Sequence, residues 1–203
     1  MARNGRQGGG RAPGGEGRRI LLVLAVVLAL TALIELRMGR SPLGPDGRFG
    51  FWEADIWSSE NSQRLADPYS FSHFVHGVLF FAGLWLVARR LPLSMRLLIA
   101  LAIETGWEIL ENSPLIIDRY RAATIAVGYV GDSVLNSLSD VVMMTLGFLF
   151  ARRVAPRVSA ATVVAMELLC LLWVRDNLTL NIIMLVHPVD AIKTWQAAGQ
   201  PHP

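Results

Sequence analysis

The sequence predicts an all-α polytopic bundle that crosses a membrane about five times. Three observations carry that prediction. Apolar types make up 53% of the 203 residues and charged types only 17%, against about 45–50% and about 25% in an average soluble domain. The apolar residues gather into runs of roughly bilayer length, most of them closed by arginines or followed by proline. The basic excess, with a pI near 9.6, sits beside those runs. That marks a membrane surface and argues against nucleic acid as a partner. One cysteine, Cys170, excludes an internal disulfide framework, a four-cysteine zinc site and a C-x-x-C redox pair.

Residues 1–19 are rich in Gly and Arg, lack apolar periodicity, and are expected to form a disordered basic tail. The run from Ile20 to Leu36 reaches about 26 Å at about 1.5 Å per residue, enough for a thin bilayer. It reads as an uncleaved anchor. It is long for the core of a signal peptide, and Glu35-Leu36-Arg37-Met38-Gly39-Arg40 stands where small residues would be cleaved. Arg37 to Tyr69 is a polar loop whose Phe49, Phe51, Trp52 and Trp57 suit a lipid–water boundary.

The second span is expected over Phe71–Ala88, stopped by Arg89, Arg90 and Pro92. The third covers Met95–Leu110 or a little more, with Pro114 just beyond. The fourth covers Asp132–Ala151, ending at Arg152 and Arg153, and the fifth Val158–Val174, ending at Arg175 and Asp176. Ala122–Val127 and Leu178–Val186 are too short to cross. The former reads as interfacial or re-entrant, the latter as an extension of the fifth helix or a half-helix. Residues 20–190 thus form one transmembrane domain, and 191–203 a polar, exposed tail. No internal repeat is visible, so an inverted-repeat transporter has no support. The arginines of the tail and of the short loops Arg89–Arg96 and Arg152–Arg157 fall on one side, which places the amino terminus in the cytoplasm.

The polar residues inside the spans are patterned. Glu104, Glu108 and Glu111 share one helical face, as do Asp132, Asn136 and Asp140, and as do His73 and His76. An ionisable group near the centre of a span costs about 2.5–3.5 kcal/mol on insertion scales, so these faces should meet each other or water. The topology puts all three faces, with Arg175, Asp176 and Asn177, in the outer half of the membrane. Glu104 lies about 10 Å deeper than Glu111, and Asp140 about 12 Å deeper than Asp132. One chamber open to the extracytoplasmic side accounts for them all. Ser58–Gln63 and Asp118–Arg121 are placed to roof it.

Such a chamber suits several chemistries. His73, His76, Glu104, Glu108, Glu111, Asp132 and Asp140 are the candidate catalytic groups. They could ligate a divalent metal that activates water, although His-x-x-His is not the i, i+4 zincin pair. Without a metal, crowded carboxylates could act as general acid and base. Arg119, Arg121 and Arg175 are candidate holders of an anionic head group such as a lipid phosphate. The implied partners are the bilayer and an envelope lipid or small anionic substrate. A proton or ion path fits the same residues. So does plain helix pairing, with Asp132 as a helix cap, Glu167 as a single interhelical bond and Cys170 as a buried apolar residue.

The ordered set Ser58–Gln63, Ser72–Gly77, Trp107–Asn112, Asp118–Thr124, Gly131–Ser137 with Asp140, Arg175–Asn181 and Pro188–Asp190 resembles a family of alphaproteobacterial multi-pass inner-membrane proteins without an assigned activity. The resemblance implies membership and an inner-membrane location, and no reaction. Ser41 to Asp55 lacks the Cys- and His-containing stretch that the resemblance implies for the first outer loop, which counts against metal ligands from that loop. A second, looser likeness, in residue order only, is to VanZ-like membrane proteins. There His73 or His76, Glu108 or Glu111, Arg119 or Arg121, Asp132 or Asp140, and Asn136 would correspond. It turns the substrate expectation towards envelope lipids or cell-wall intermediates.

Overall fold

A computed structural model describes residues 14–200. Its helices are α1 (Gly14–Arg37), α2 (Ser70–Ala88), α3 (Leu93–Glu111), α4 (Pro114–Ala123), α5 (Val134–Arg153), α6 (Pro156–Val174), α7 (Leu178–Val186) and α8 (Asp190–Ala197). Among the described residues there is no strand, only an isolated bridge between Trp52 and Ala66. Helices α1, α2, α5 and α6 are long and apolar enough to cross a membrane. Helix α3 matches α2 in length, and its acids lower its hydropathy. It completes the bundle from inside, touching α1, α2 and α5.

Local chemistry sets the boundaries. Ser133 caps α5, its hydroxyl accepting the Asn136 amide, and Asn177 caps α7 by accepting the Leu180 amide. Pro114 and Pro156 open α4 and α6, where a missing N–H costs nothing. Helix α6 stops at Arg175, whose φ of 55° turns the chain back into α7. Leu178–Val186 is therefore a separate half-helix. Glu167 of α6 serves its amino end: Oε1 accepts the Leu178 amide at 3.1 Å and Oε2 the Thr179 hydroxyl at 2.6 Å.

Two boundaries differ from the sequence reading. Helix α1 begins at Gly14, because helix nucleated in the apolar run extends into the basic stretch that precedes it. The remainder of the expected tail, 1–13, lies outside the described residues, as does 201–203. The stretch expected as an exposed carboxyl-terminal tail instead contains α8, held down by the buried Gln196 and by Lys193, whose Nζ donates to the Ala122 carbonyl at 2.9 Å.

The core joins Leu97, Ala100 and Leu101 of α3 to Val141, Met144 and Phe148 of α5. Helices α2 and α5 share the most extensive interface. They approach closely because Gly77 faces the Met144 carbonyl and Gly147 the Phe74 carbonyl, with no room for a Cβ on either side. Outward-facing apolar side chains, Leu21, Val87 and Leu172 among them, stand exposed as a lipid-facing surface requires.

Candidate functional site

The connectivity gathers the polar faces at one end of the bundle, where α2 and α5 begin and α3 and α6 finish. A cavity of about 430 Å³ opens there. Helix α2 supplies His73 and His76, α3 supplies Glu104 and Glu111, and α5 supplies Asn136 and Asp140. Asp132 and Asp176 enter from the turns before α5 and after α6. The roof is built from Trp57, Asn61 and Ser62 of the loop between α1 and α2 and from Tyr120, Ile125 and Tyr129 around the end of α4. That loop is clipped onto the start of α5: the Gln63 side chain donates to the Gly131 carbonyl at 2.8 Å, and the Asn136 amide group to the Arg64 carbonyl at 2.9 Å.

At the centre, both imidazoles turn Nδ1 towards Glu104. His73 Nδ1 lies 2.7 Å from Glu104 Oε1, and His76 Nδ1 lies 3.1 Å from each oxygen of the same carboxylate. His73 Nδ1 is also 3.3 Å from Glu108 Oε1, while its Nε2 is 3.8 Å from Asp140 Oδ2. Glu104 and Glu108 are both 0% exposed. Among the described residues, neither Glu108 oxygen has a hydrogen-bond donor, and Asp140 Oδ1 has none either.

A second group lies towards the roof. Carboxylate oxygens of Glu108, Glu111 and Asp132 come within 4.8 Å of one another. Asn112 holds Asp132 from two directions: its Oδ1 accepts the Asp132 amide at 2.7 Å, and its Nδ2 lies 3.4 Å from Oδ2. Tyr129 donates its hydroxyl to Asp132 Oδ1 at 2.9 Å. Burial raises the Asp132 carboxyl to about 7, against the lowering effect of the Tyr129 bond. Burial also raises Asp176 to about 6, although it accepts from the Tyr69 hydroxyl at 3.2 Å and the Gln196 amide group at 3.0 Å.

This order of residues agrees with comparison to known proteins. The model for a family described as protein of unknown function (DUF2585) matches residues 35–198. The chain belongs to the DUF2585 family. A UPF0314 protein from Sphingopyxis alaskensis is 52% identical over 187 residues, covering 92% of this chain and 99% of that one. Relatives of the same description from Rhizobium johnstonii (51% over 170 residues, 84% and 87% of the two chains) and Paracoccus denitrificans (49% over 173 residues, 85% and 90%) are similar along most of their length. The resemblance to an uncharacterised alphaproteobacterial family is thereby borne out. No solved structure matches the chain.

In this DUF2585 protein, His73, His76, Glu104, Glu111, Asp132 and Asp140 line the cavity, and Glu108 stands directly behind His73. The three arginines expected beside them do not line it. Arg119 Nε donates to the Leu185 carbonyl at 2.8 Å, Arg121 Nε to the Tyr129 carbonyl at 2.6 Å, and a terminal nitrogen of Arg175 to the Trp195 carbonyl at 3.0 Å. Each closes the carbonyl end of a short helix or turn. No lysine or arginine is among the lining residues, so the only basic side chains lining the described chamber are the imidazoles of His73 and His76.

Sequence reasoning missed Tyr69, Asn112, Tyr129 and Gln196, which bond the carboxylates, and also Asp67 and Glu35. Asp67 is buried at the mouth of α2, where Oδ2 accepts the Ser62 amide at 2.9 Å. Glu35 is 0% exposed near the end of α1, and neither of its oxygens has a hydrogen-bond donor in good geometry among the described residues.

The raised Asp132 carboxyl gives a pH dependence with a definite sign. Its folded pKa, about 7, exceeds the ordinary 3.8. The folded state therefore holds the proton more tightly, and stability is lost as pH rises from about 4 to about 7. Thermal midpoints in detergent should fall by several degrees over that interval, at about 2–4 °C per kcal/mol for a chain of this size. In Asp132→Asn the fall should be shallower. Equal slopes in the two proteins would contradict the burial of that carboxyl.

Proposed function

We propose that this protein binds an envelope lipid from the outer leaflet of the inner membrane and performs acid–base chemistry on its head group. In this reading the amino terminus is cytoplasmic and the chamber faces the extracytoplasmic side, as the arginine distribution favours.

One observation carries the reading. The cavity is walled by polar groups on one side and opens sideways through an apolar portal. Leu79 of α2, Ile103 of α3 and Ile182 of α7 line it while remaining 49%, 48% and 51% exposed. Side chains that border a cavity and also face lipid form an entry for acyl chains. Phe80, Trp107 and Leu185 continue the apolar surface inward. A head group entering this way meets His76, the more open of the two imidazoles, and then His73 and Glu104. An acidic wall without cations suits a head group bearing hydroxyl or amine groups. The carboxyls of Glu111 and Asp132, which line the cavity, are the acid–base groups, and His73, with Glu104 on one side and Asp140 on the other, has its ring fixed beside them.

The experiment is native mass spectrometry of protein purified from its own membranes. A defined lipid should remain bound in stoichiometric amount. The double variant Leu79→Trp/Ile103→Trp, which narrows the portal and leaves the carboxylates alone, should reduce that amount by about tenfold, equivalent to about 1.4 kcal/mol. Retention of the bulk lipid mixture, unchanged by the portal variant, would overturn the reading.

Proton coupling is a second reading, favoured by the buried and unpartnered oxygens of Glu108 and Asp140 on either side of His73. It predicts pH-driven flux in proteoliposomes that disappears in Glu108→Gln, with no lipid product formed.

A further inference from the structure

We infer that His73, His76 and Glu104 form a binding site for one divalent transition-metal ion, with Glu108 beside it and Asp140 facing the other nitrogen of His73. The inference rests on the chamber proposed above and gives its polar wall a specific occupant.

Three ligand groups from two helices converge: one donor atom each of His73, His76 and Glu104 lie within 4.8 Å of one another. His73 Nδ1 lies 2.7 Å from Glu104 Oε1 and 3.3 Å from Glu108 Oε1, and His76 Nδ1 lies 3.1 Å from Glu104 Oε2. In a tetrahedral zinc site with bonds of about 2.0–2.1 Å, neighbouring donors stand about 3.3 Å apart. The atoms are thus at or slightly inside metal-binding separation. Both rings present the same nitrogen, Nδ1, to one point, which a lone hydrogen-bonded pair does not require. Histidine nitrogen and carboxylate oxygen together suit zinc or iron.

Glu108 supplies the independent observation. It is 0% exposed and neither of its oxygens has a hydrogen-bond donor, although it points at His73 Nδ1. A fully buried carboxylate without a donor is among the most costly arrangements a protein can hold. A divalent ion held by His73 and Glu104 would lower that cost, because the Glu104 and Glu108 carboxylates together match its charge. The other nitrogen of His73, Nε2, faces Asp140 Oδ2 at 3.8 Å. Carboxylate behind imidazole behind metal is the outer-shell arrangement that fixes ligating histidines. His76 is the more open ligand, its ring stacked on Phe80 at 5.8 Å. An open coordination position beside it would face the chamber and polarise a head-group oxygen there. The neighbouring trio of Glu108, Glu111 and Asp132 has no imidazole, and Tyr129 and Asn112 already bond its Asp132.

The test uses the full-length protein in detergent, stripped with chelator and titrated with Co²⁺, with circular dichroism and size-exclusion profiles recorded in parallel. The expected result is one equivalent of Co²⁺ bound, with visible absorption of four-coordinate intensity, displaced by Zn²⁺. His73→Ala and Glu104→Gln should abolish the band. Asp140→Asn should keep the stoichiometry and weaken affinity by about 10–100-fold. A folded wild type that binds less than a tenth of an equivalent would overturn the inference, and it does so whether or not any variant folds. A band that survives in folded His73→Ala and vanishes in Glu111→Gln would also overturn it, by moving the ion to the upper trio. The bound lipid is measured on the same preparations. Lipid retained without metal ends only this inference, whereas metal retained without lipid ends only the lipid reading.

Discussion

Replacing Gly77 by leucine should leave no monodisperse folded protein. The reason is backbone against backbone. A Cβ at position 77 would fall on the Met144 carbonyl and the Phe148 amide of α5, and one at 147 would fall on the Phe74 carbonyl of α2. Overpacking costs about 1–3 kcal/mol where side chains can move aside. Here only separation of the two helices gives relief, and that opens the most extensive interface in the molecule. Against a whole stability of about 5–15 kcal/mol, the loss is decisive. Gly77→Ala should already lower the yield and the thermal midpoint. Gly83, on the same helix, has no atom within 4 Å of its missing Cβ. Gly83→Ala should therefore be neutral or stabilising by up to about 1 kcal/mol. Fluorescence-detected size exclusion separates these outcomes, and a wild-type profile for Gly77→Leu would refute the helix crossing. The crossing also belongs to the site. His73 and His76 lie within one turn of Gly77, and Asp140 lies two turns before Gly147, so the glycine contact sets the spacing between the imidazoles and Asp140.

The spans were legible because their signals are one-dimensional: apolar runs, closed by arginine or followed by proline. The gathering of His73, Glu104 and Asp140 was legible for a related reason. Helical spacing fixes a shared face, and alternating topology fixes a shared end. What needed three dimensions was the partner of each charge. Arg119, Arg121 and Arg175 stand beside the chamber in sequence, but the carbonyls that accept from them belong to Leu185, Tyr129 and Trp195. No residue pattern marks a main-chain carbonyl that needs a donor. Glu35 closes an apolar run, where an acid normally meets water, yet packing against α3 and α5 buries that end of α1. Helix α8 is eight residues long, below the length at which periodicity decides. The glycines were the signal left unread. Gly77 and Gly147 interrupt apolar runs, and small residues there mark close helix approach.

Two carboxylates one turn apart on α3 should respond to the same substitution with opposite sign. Glu104 accepts from two imidazoles, and removing it leaves His76 Nδ1 without its acceptor and His73 with only the more distant Glu108 and Asp140. Breaking a buried ion pair from one side costs about 3–5 kcal/mol. Glu104→Leu should therefore lower the thermal midpoint of chelator-stripped protein by about 6–20 °C, at about 2–4 °C per kcal/mol. Glu108 is equally buried but has no hydrogen-bond donor. Exchanging such a charge for an apolar side chain of similar volume is neutral or stabilising by about 1–4 kcal/mol. Glu108→Leu should raise the midpoint of stripped protein by up to several degrees. Adding Zn²⁺ should then reverse the order. Wild type gains stability by mass action on a folded-state site, while Glu108→Leu, lacking the neighbouring carboxylate that offsets the ion's charge, gains less. Equal losses from both substitutions, insensitive to Zn²⁺, would make the stripe simple interhelical pairing. Opposite signs would mean that the chain keeps an unpartnered buried carboxyl at the cost of its own stability, and reversal of the order by Zn²⁺ would point to an ion beside Glu108 and against a proton path alone.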